Sequence, residues 1–265
     1  MPVSDFSQDL RLLTEAANAA GEIALKYWRR KPEAWDKGDG AGPVSEADLA
    51  VNDMLAAELR AARPDYGWLS EESADDPARL DAEAVFIVDP IDGTRAFLND
   101  EGSFAHALAV VRGGEVVAGV VHLPVLDLTY AATRDGAATL NGAPLTPGTR
   151  TEALGATVLT SKLSDDASHW KAGAPPYRRE FRPSLAWRLC LVAEGRFDAT
   201  LSLRPAWEWD IAAASLIADR AGVRSTDRLG QELRFNNAIP QSNGLLVANP
   251  TLHAAFLDEL RPWPL

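Results

Sequence analysis

The sequence predicts a mixed α and β protein, and three observations carry that prediction. Apolar positions at helical spacing alternate along the chain with short strand-like apolar runs. A Gly113-Gly114 turn divides two such runs into a hairpin. No repeat, low-complexity tract or long linker interrupts the alternation. From the N-terminus, Leu10, Leu13, Ala17, Ala20, Ala24 and Tyr27 predict a helix from about Ser7 to Trp28. Ser45 reads as the N-cap of a second helix, Glu46 to Ala61, carrying Leu49, Met54, Leu55 and Leu59. Ala84 to Val88 is an apolar strand. Phe104 to Arg112 and Glu115 to Leu123 form the hairpin, and Leu128 to Thr133 with the Asp135-Gly136 turn extends an antiparallel sheet.

In the second half, Thr157 to Thr160 predicts a short strand, Ser184 to Glu194 a helix stopped by Gly195, and Phe197 to Leu203 another strand. The helix following Asp210 ends near Gly222, with short strands near Val223 and Leu245 and a closing helix from about Pro250 to Leu260. The polar stretch Leu163 to Arg182, with Pro175-Pro176, reads as a long loop.

Composition narrows the function classes. The chain's 265 residues give ample core for one large domain or two intimately packed halves. A net charge of −12 argues against a nucleic-acid polymer as partner, because nothing would offset phosphate repulsion. A single cysteine, Cys190, excludes an internal disulfide and a cysteine zinc site, and its apolar neighbours predict a buried, inert thiol. Met1-Pro2-Val3-Ser4-Asp5 lacks the basic and apolar regions of a secretion signal, and no apolar run approaches the ~20 residues that span a bilayer. No membrane association is expected, and the cytoplasm is the default location.

The chemistry concentrates at Asp89-Pro90-Ile91-Asp92-Gly93-Thr94, where the Ala84–Val88 strand gives way to a helix start at Arg95-Ala96-Phe97-Leu98. Two carboxylates and an intervening carbonyl are the oxygen donors that hard divalent cations take. The N–H groups of Gly93 and Thr94 would favour an anion beside them. Alone, the segment fits an ordinary polar turn equally well. Two further acidic clusters stand at element ends, Glu71-Glu72 and Trp207-Glu208-Trp209-Asp210. Three such clusters are hard to explain as solvated surface. The four histidines are not grouped at zinc spacing, so His106, His122, His169 and His253 read as structural. Trp28, Trp187 and Trp209 sit in apolar patterns and read as core.

Taken together, Val44-Ser45-Glu46-Ala47-Asp48, Glu71-Glu72-Ser73, Asp89 to Thr94, and Trp209-Asp210-Ile211-Ala212-Ala213 through Ala221-Gly222 resemble the inositol monophosphatase superfamily of Mg²⁺-dependent phosphomonoesterases, in order and spacing. The resemblance implies an α+β fold, a layered αβαβα sandwich of the inositol monophosphatase and fructose-1,6-bisphosphatase type. It implies one phosphatase unit over 1–265, with an α+β half at about 1–150, an α/β half at about 151–265, and the active site between them. It makes Glu71, Asp89, Asp92 and Asp210 metal ligands together with the Ile91 carbonyl, for two or three Mg²⁺ ions with Mn²⁺ as an alternative. Metal-activated water would then attack phosphorus in line, without a covalent phosphoenzyme. Thr94 and Asp48 match the pair that orients and helps deprotonate that water, with Glu71 contributing; Ser45-x-x-Asp48 also has the form of a capping box. Glu72 fits an indirect role, and Glu208 either a substrate contact or a helix-start carboxylate. The resemblance allows a homodimer.

The implied substrate is a small phosphorylated metabolite. Three details match the bacterial 3'(2'),5'-bisphosphate nucleotidase branch, which converts adenosine 3',5'-bisphosphate to AMP and phosphate. These are Asp92-Gly93-Thr94-Arg95-Ala96-Phe97, Glu208-Trp209-Asp210, and a basic residue at Arg188. Gly93, Thr94, Lys162 and Arg188 are the substrate contacts expected on that basis. Two departures favour an inositol-1-monophosphatase or another sugar-phosphate or histidinol-phosphate phosphatase. No histidine follows Ser161-Lys162, and Ser184-Leu185-Ala186 replaces the branch's Gly-Ser-Ser. A catalytically idle binding or regulatory relative would have lost a metal ligand or Thr94, and none is lost.

Overall fold

The computed structural model of the chain describes residues 5–38 and 42–262; the stretch Met1–Ser4, which belongs to the segment read for a secretion signal, lies outside the described residues. Helix α1 (Asp5–Tyr27) leads into a small hairpin, β1 (Ala34–Asp36) and β2 (Pro43–Ser45), and then into α2 (Glu46–Ala62). A seven-stranded sheet follows. It comprises β3 (Gly67–Ser70), β4 (Ala84–Asp92), β5 (Ala105–Arg112), β6 (Glu115–Leu123), β7 (Leu128–Thr133), β8 (Thr139–Leu140) and β9 (Ala143–Pro144), in that spatial order. Only the β3–β4 pair is parallel. A one-turn helix, α3 (Thr94–Leu98), leaves the end of β4.

The remaining chain supplies a second sheet and three helices. In chain order these are β10 (Thr157–Leu159), β11 (Arg178–Glu180), α4 (Leu185–Ala193), β12 (Ala199–Ser202), β13 (Ala206–Trp207), α5 (Glu208–Ala221), β14 (Arg224–Thr226), β15 (Gln241–Ser242), β16 (Leu245–Ala248) and α6 (Pro250–Glu259). The five-stranded sheet runs β11-β10-β12-β16-β14, and β13 pairs separately with β15.

Side-chain alternation along the strands builds the layers. On β4, Ala84, Phe86 and Val88 face a core with Leu13, Ala17 and Ala20 of α1 and Val51, Leu55 and Leu59 of α2. The intervening Val85 and Ile87 face a second core with Leu189 and Cys190 of α4 and Ile211, Ala214 and Ile217 of α5. On β16, Leu245 and Val247 complete that second core, whereas Leu246 and Ala248 join Leu252 and Phe256 of α6 in a third. The succession of helices, sheet, helices, sheet and helix is the αβαβα sandwich. Because both faces of β4 are covered, all nine of its residues are buried, including its two aspartates. Gly119 of β6 lets α5 approach the sheet closely, since a Cβ there would lie 2.8 Å from the Ala213 carbonyl oxygen, one turn after Asp210. No helix among the described residues is long and apolar enough to cross a membrane.

The stretch Leu163 to Arg182 is more ordered than a loop. It holds two short 3₁₀ turns, Lys162–Asp165 and Ala167–His169, and the edge strand β11, parallel to β10. All three residues of β11 are exposed, so no apolar alternation marks it in the sequence; backbone pairing to β10 creates it.

Candidate active site

The end of β4 brings the two motif aspartates to the same place. In an undisturbed strand, residues three apart point to opposite faces. Here Asp89 pairs with Ala107 and Asp92 with Ala105, so three steps on β4 match two on β5. The extra residue makes a bulge between them, in the Pro90-Ile91 step, and Pro90 has no N–H to lose from the ladder. His106 locks the bulge from β5: its Nδ1 contacts the Pro90 carbonyl oxygen, and burial drives its pKa down to about 4. The ring is therefore neutral with Nδ1–H donating. The chain then turns at Gly93, whose φ of 100° lies in the left-handed region that glycine occupies without strain.

Asp210, in the first turn of α5, meets the β4 pair from the other side. One carboxylate oxygen from each of Asp89, Asp92 and Asp210 lies within 4.8 Å of the other two. Asp92 is held by the start of α4: Ser184 Oγ and the Ala186 N–H donate to its Oδ2 at 2.6 and 2.7 Å, and the Leu185 N–H to its Oδ1 at 3.1 Å. Even so, burial outweighs these bonds and raises its pKa to about 6. Asp89 is raised well above the ordinary carboxylate range by burial and then by Glu71, Asp92 and Asp210. Its Oδ1 is buried without a hydrogen-bond partner. A cluster of mutually repelling carboxylates with an oxygen left unbonded fits a hard divalent cation, which such oxygens would ligate.

Glu71 follows β3 and shares one cavity of about 790 Å³ with Asp89, Ile91, Asp92, Thr94 and Asp210. Lys37, which carries no signal in the sequence, donates to Glu71 and Glu72 at 2.8 and 2.6 Å. Burial opposes its charge, but Glu71 and Glu72 raise its pKa overall. Burial also lifts Glu72 to about 7, against the Lys37 bond.

Asp48 is both a helix cap and a partner of Thr94. Its Oδ2 accepts from Ser45 N–H and Ser45 Oγ at 2.8 and 2.6 Å, closing the capping box of α2. Its Oδ1 faces Thr94 Oγ1 at 3.1 Å, while the Ile91 carbonyl oxygen lies 3.2 Å from the same hydroxyl. Burial raises the Asp48 carboxyl above its ordinary range despite these bonds.

Two other expected contacts, Lys162 and Arg188, are not on the cavity wall, although Arg188 is near enough to act on Asp92 and Asp210 through its charge. Lys162 is exposed on its 3₁₀ turn and is not among the residues lining this cavity. Arg188 is 9% exposed, and its guanidinium donates to the Arg182 and Pro183 carbonyls. Two arginines not proposed from sequence, Arg95 and Arg182, line the cavity instead. Glu208 is buried and accepts from the Asn236 and Asn237 N–H groups and from Asn237 Nδ2, anchoring that segment behind α5. Cys190 is buried in α4, and burial pushes its thiol up. Trp187 is buried, whereas Trp209 is only partly covered and stacks on the exposed ring of Trp207 at 4.7 Å.

The sequence model of the inositol monophosphatase family matches residues 5–262. The chain belongs to this family. It is therefore a metal-dependent phosphatase that hydrolyses small phosphomonoesters, and the family is Mg²⁺-dependent. Among relatives, the inositol-1-monophosphatase of Rhizobium meliloti is 36% identical over 71% of this chain and 73% of its own length. The histidinol-phosphatase of Chlorobaculum parvum is 30% identical over 92% and 93%. The 3'(2'),5'-bisphosphate nucleotidase CysQ of Salmonella typhimurium is 30% identical over 83% and 90%. The solved IMPase of Thermotoga maritima superposes with a TM-score of 0.82 at 26% identity, covering 95% of this chain and 96% of that one.

Proposed function

We propose that the enzyme is a 3'(2'),5'-bisphosphate nucleotidase, releasing one phosphate from adenosine 3',5'-bisphosphate to leave AMP. The observation that carries this reading is Arg95 on the wall of the cavity that holds the acidic cluster, beside Arg182, whose guanidinium also donates to the Phe181 carbonyl, pairs with Glu180 and lies over the Phe197 ring. A second phosphate needs positive charge beyond the metal, and arginine supplies it in bidentate form. The Asp92-to-Phe97 and Glu208-Trp209-Asp210 motifs and the Salmonella relative add support. Lys162 and Arg188 have less support as direct contacts, because Lys162 does not line the cavity and Arg188 is committed to two carbonyls.

In the proposed mechanism, Asp89, Asp92, Asp210, Glu71 and the Ile91 carbonyl are the groups that would hold Mg²⁺. When bound, the cation supplies charge that offsets the negative charge developing on the phosphoryl group. Thr94 Oγ1 accepts a proton from the attacking water as its own proton passes to Asp48 Oδ1. The water oxygen bonds to phosphorus, the phosphorus–oxygen ester bond breaks, and the leaving oxygen is protonated from solvent. The N–H groups at Gly93 and Thr94 face the phosphate in this scheme. The chain acts as one catalytic unit whose halves, about 1–150 and 151–265, meet at the site. The bonds from Ser184, Leu185 and Ala186 to Asp92 support that arrangement.

The second reading, an inositol-1-monophosphatase, draws support from the Rhizobium relative and from the missing histidine after Lys162. Phosphate release from adenosine 3',5'-bisphosphate, inositol 1-phosphate and histidinol phosphate, at matched concentrations with and without Mg²⁺, separates them. The nucleotidase reading expects kcat/KM to be highest for the bisphosphate. A higher value for either other ester would overturn it.

A further inference from the structure

Phe181 is a large apolar side chain left half exposed, at 51%, yet it lines the catalytic cavity. Its ring is braced from behind: the Arg188 guanidinium carbon lies 4.4 Å from the ring centroid. Arg188 is itself nearly buried, and its remaining donors tie down the carbonyls of Arg182 and Pro183. The next residue is Ser184, which caps α4 and donates to Asp92. The ring is therefore coupled through three residues of fixed backbone to a carboxylate of the acidic cluster. Such a side chain costs little entropy to use, since the cation behind it has already restricted its motion.

We infer that Phe181 is a specificity-determining platform on which the planar aromatic part of the substrate, a nucleobase, stacks while its phosphate sits at the acidic cluster. The inference rests on the nucleotidase reading and adds to it the residue that would read the base. A flat π-face gains from an aromatic ring that a polyol cannot match, whereas the acidic cluster handles the phosphate of either. Leu126, 42% exposed on the same cavity, adds apolar wall for such a group. The Arg188 position expected to touch substrate thus acts as a positioning residue, by holding the ring and the Arg182-Pro183 backbone.

The test compares wild type, Phe181→Ala and Phe181→Tyr on adenosine 3',5'-bisphosphate, phenyl phosphate and glycerol 2-phosphate, with KM and kcat separated. Base stacking on an aromatic side chain predicts that Phe181→Ala raises KM for both aromatic esters about tenfold relative to glycerol 2-phosphate, with their kcat unaltered. Phe181→Tyr should restore the wild-type ratio. An equal loss on all three esters, or no change in the ratio, would overturn the platform. If wild type fails to cleave the bisphosphate while phenyl phosphate still depends on Phe181, the nucleotidase reading falls and the platform stands.

Discussion

The two oxygens of Asp48 divide the labour between structure and chemistry. Oδ2 is used up by the N–H and hydroxyl of Ser45, so the cap of α2 is satisfied without the other oxygen. Oδ1 remains for Thr94, whose hydroxyl is also within reach of the Ile91 carbonyl. A single hydroxyl proton cannot serve both acceptors at once, which suits a group proposed to exchange that proton. Removing it should therefore affect rate far more than stability. For Thr94→Ala we expect kcat to fall about 10²–10⁴-fold, the usual worth of positioned proton transfer, with Tm within about 2 °C of wild type. Thr94→Ser, which keeps the hydroxyl, should retain most of the rate. Steady-state kinetics beside thermal melts decide this, and an unimpaired Thr94→Ala would remove Thr94 from the proton path.

At the scale of elements, the site depends on a strand bulge and a helix start meeting. Ser184 is pivotal because its hydroxyl donates to Asp92 and accepts from the Trp187 N–H. Ser184→Ala leaves both short of a partner and should cost about 1–2 kcal/mol, or about 3–6 °C in Tm. It should also raise the Mg²⁺ concentration for half-maximal activity about tenfold, as loss of an orienting partner does. Activity titrations that match wild type would mean that Asp92 needs no such support. The helices and the hairpin are legible in periodicity and turn chemistry, whereas the grouping of the three acidic clusters into one site is legible only through the family resemblance of the motifs that hold them. What escaped is instructive. Asp89 and Asp92, three apart, should diverge on a regular strand, and only the register against β5 reveals the bulge that brings them together. Lys37 lies in a polar stretch without pattern, and its approach to Glu71 and Glu72 is purely tertiary. Phe181 and Arg182 carry no sequence signal, because the exposed strand β11 before them shows no alternation.

For the molecule as a whole, alternate burial along β4 and β16 stacks five layers, and the acidic cluster lies where the end of β4 meets the first turns of α4 and α5. Buried histidines give this assembly a defined response to acid. Burial lowers His253 to about 4, and its Nε2 lies 2.7 Å from Thr226 Oγ1, whose own proton goes to the Asp227 carbonyl. The folded state thus keeps His253 neutral while the unfolded chain protonates near pH 6.5. Its contribution is full above that pH and is lost as pH falls toward 4. His253→Gln keeps a donor but cannot titrate, so its Tm should rise relative to wild type between pH 7 and pH 5. A constant difference across that range would show that His253 does not titrate in this way. Asp89, Asp92 and Asp210 repel one another, and a divalent cation among them would relieve that repulsion. The decisive measurement is the Mg²⁺ dependence of Tm in wild type and in Asp210→Asn. Mg²⁺ at about 100 times its Kd should stabilise wild type by about 2.7 kcal/mol. The Asp210→Asn protein should melt above wild type without metal and gain little from Mg²⁺. Equal melting shifts in the two proteins would mean that Asp210 takes no part in holding the cation.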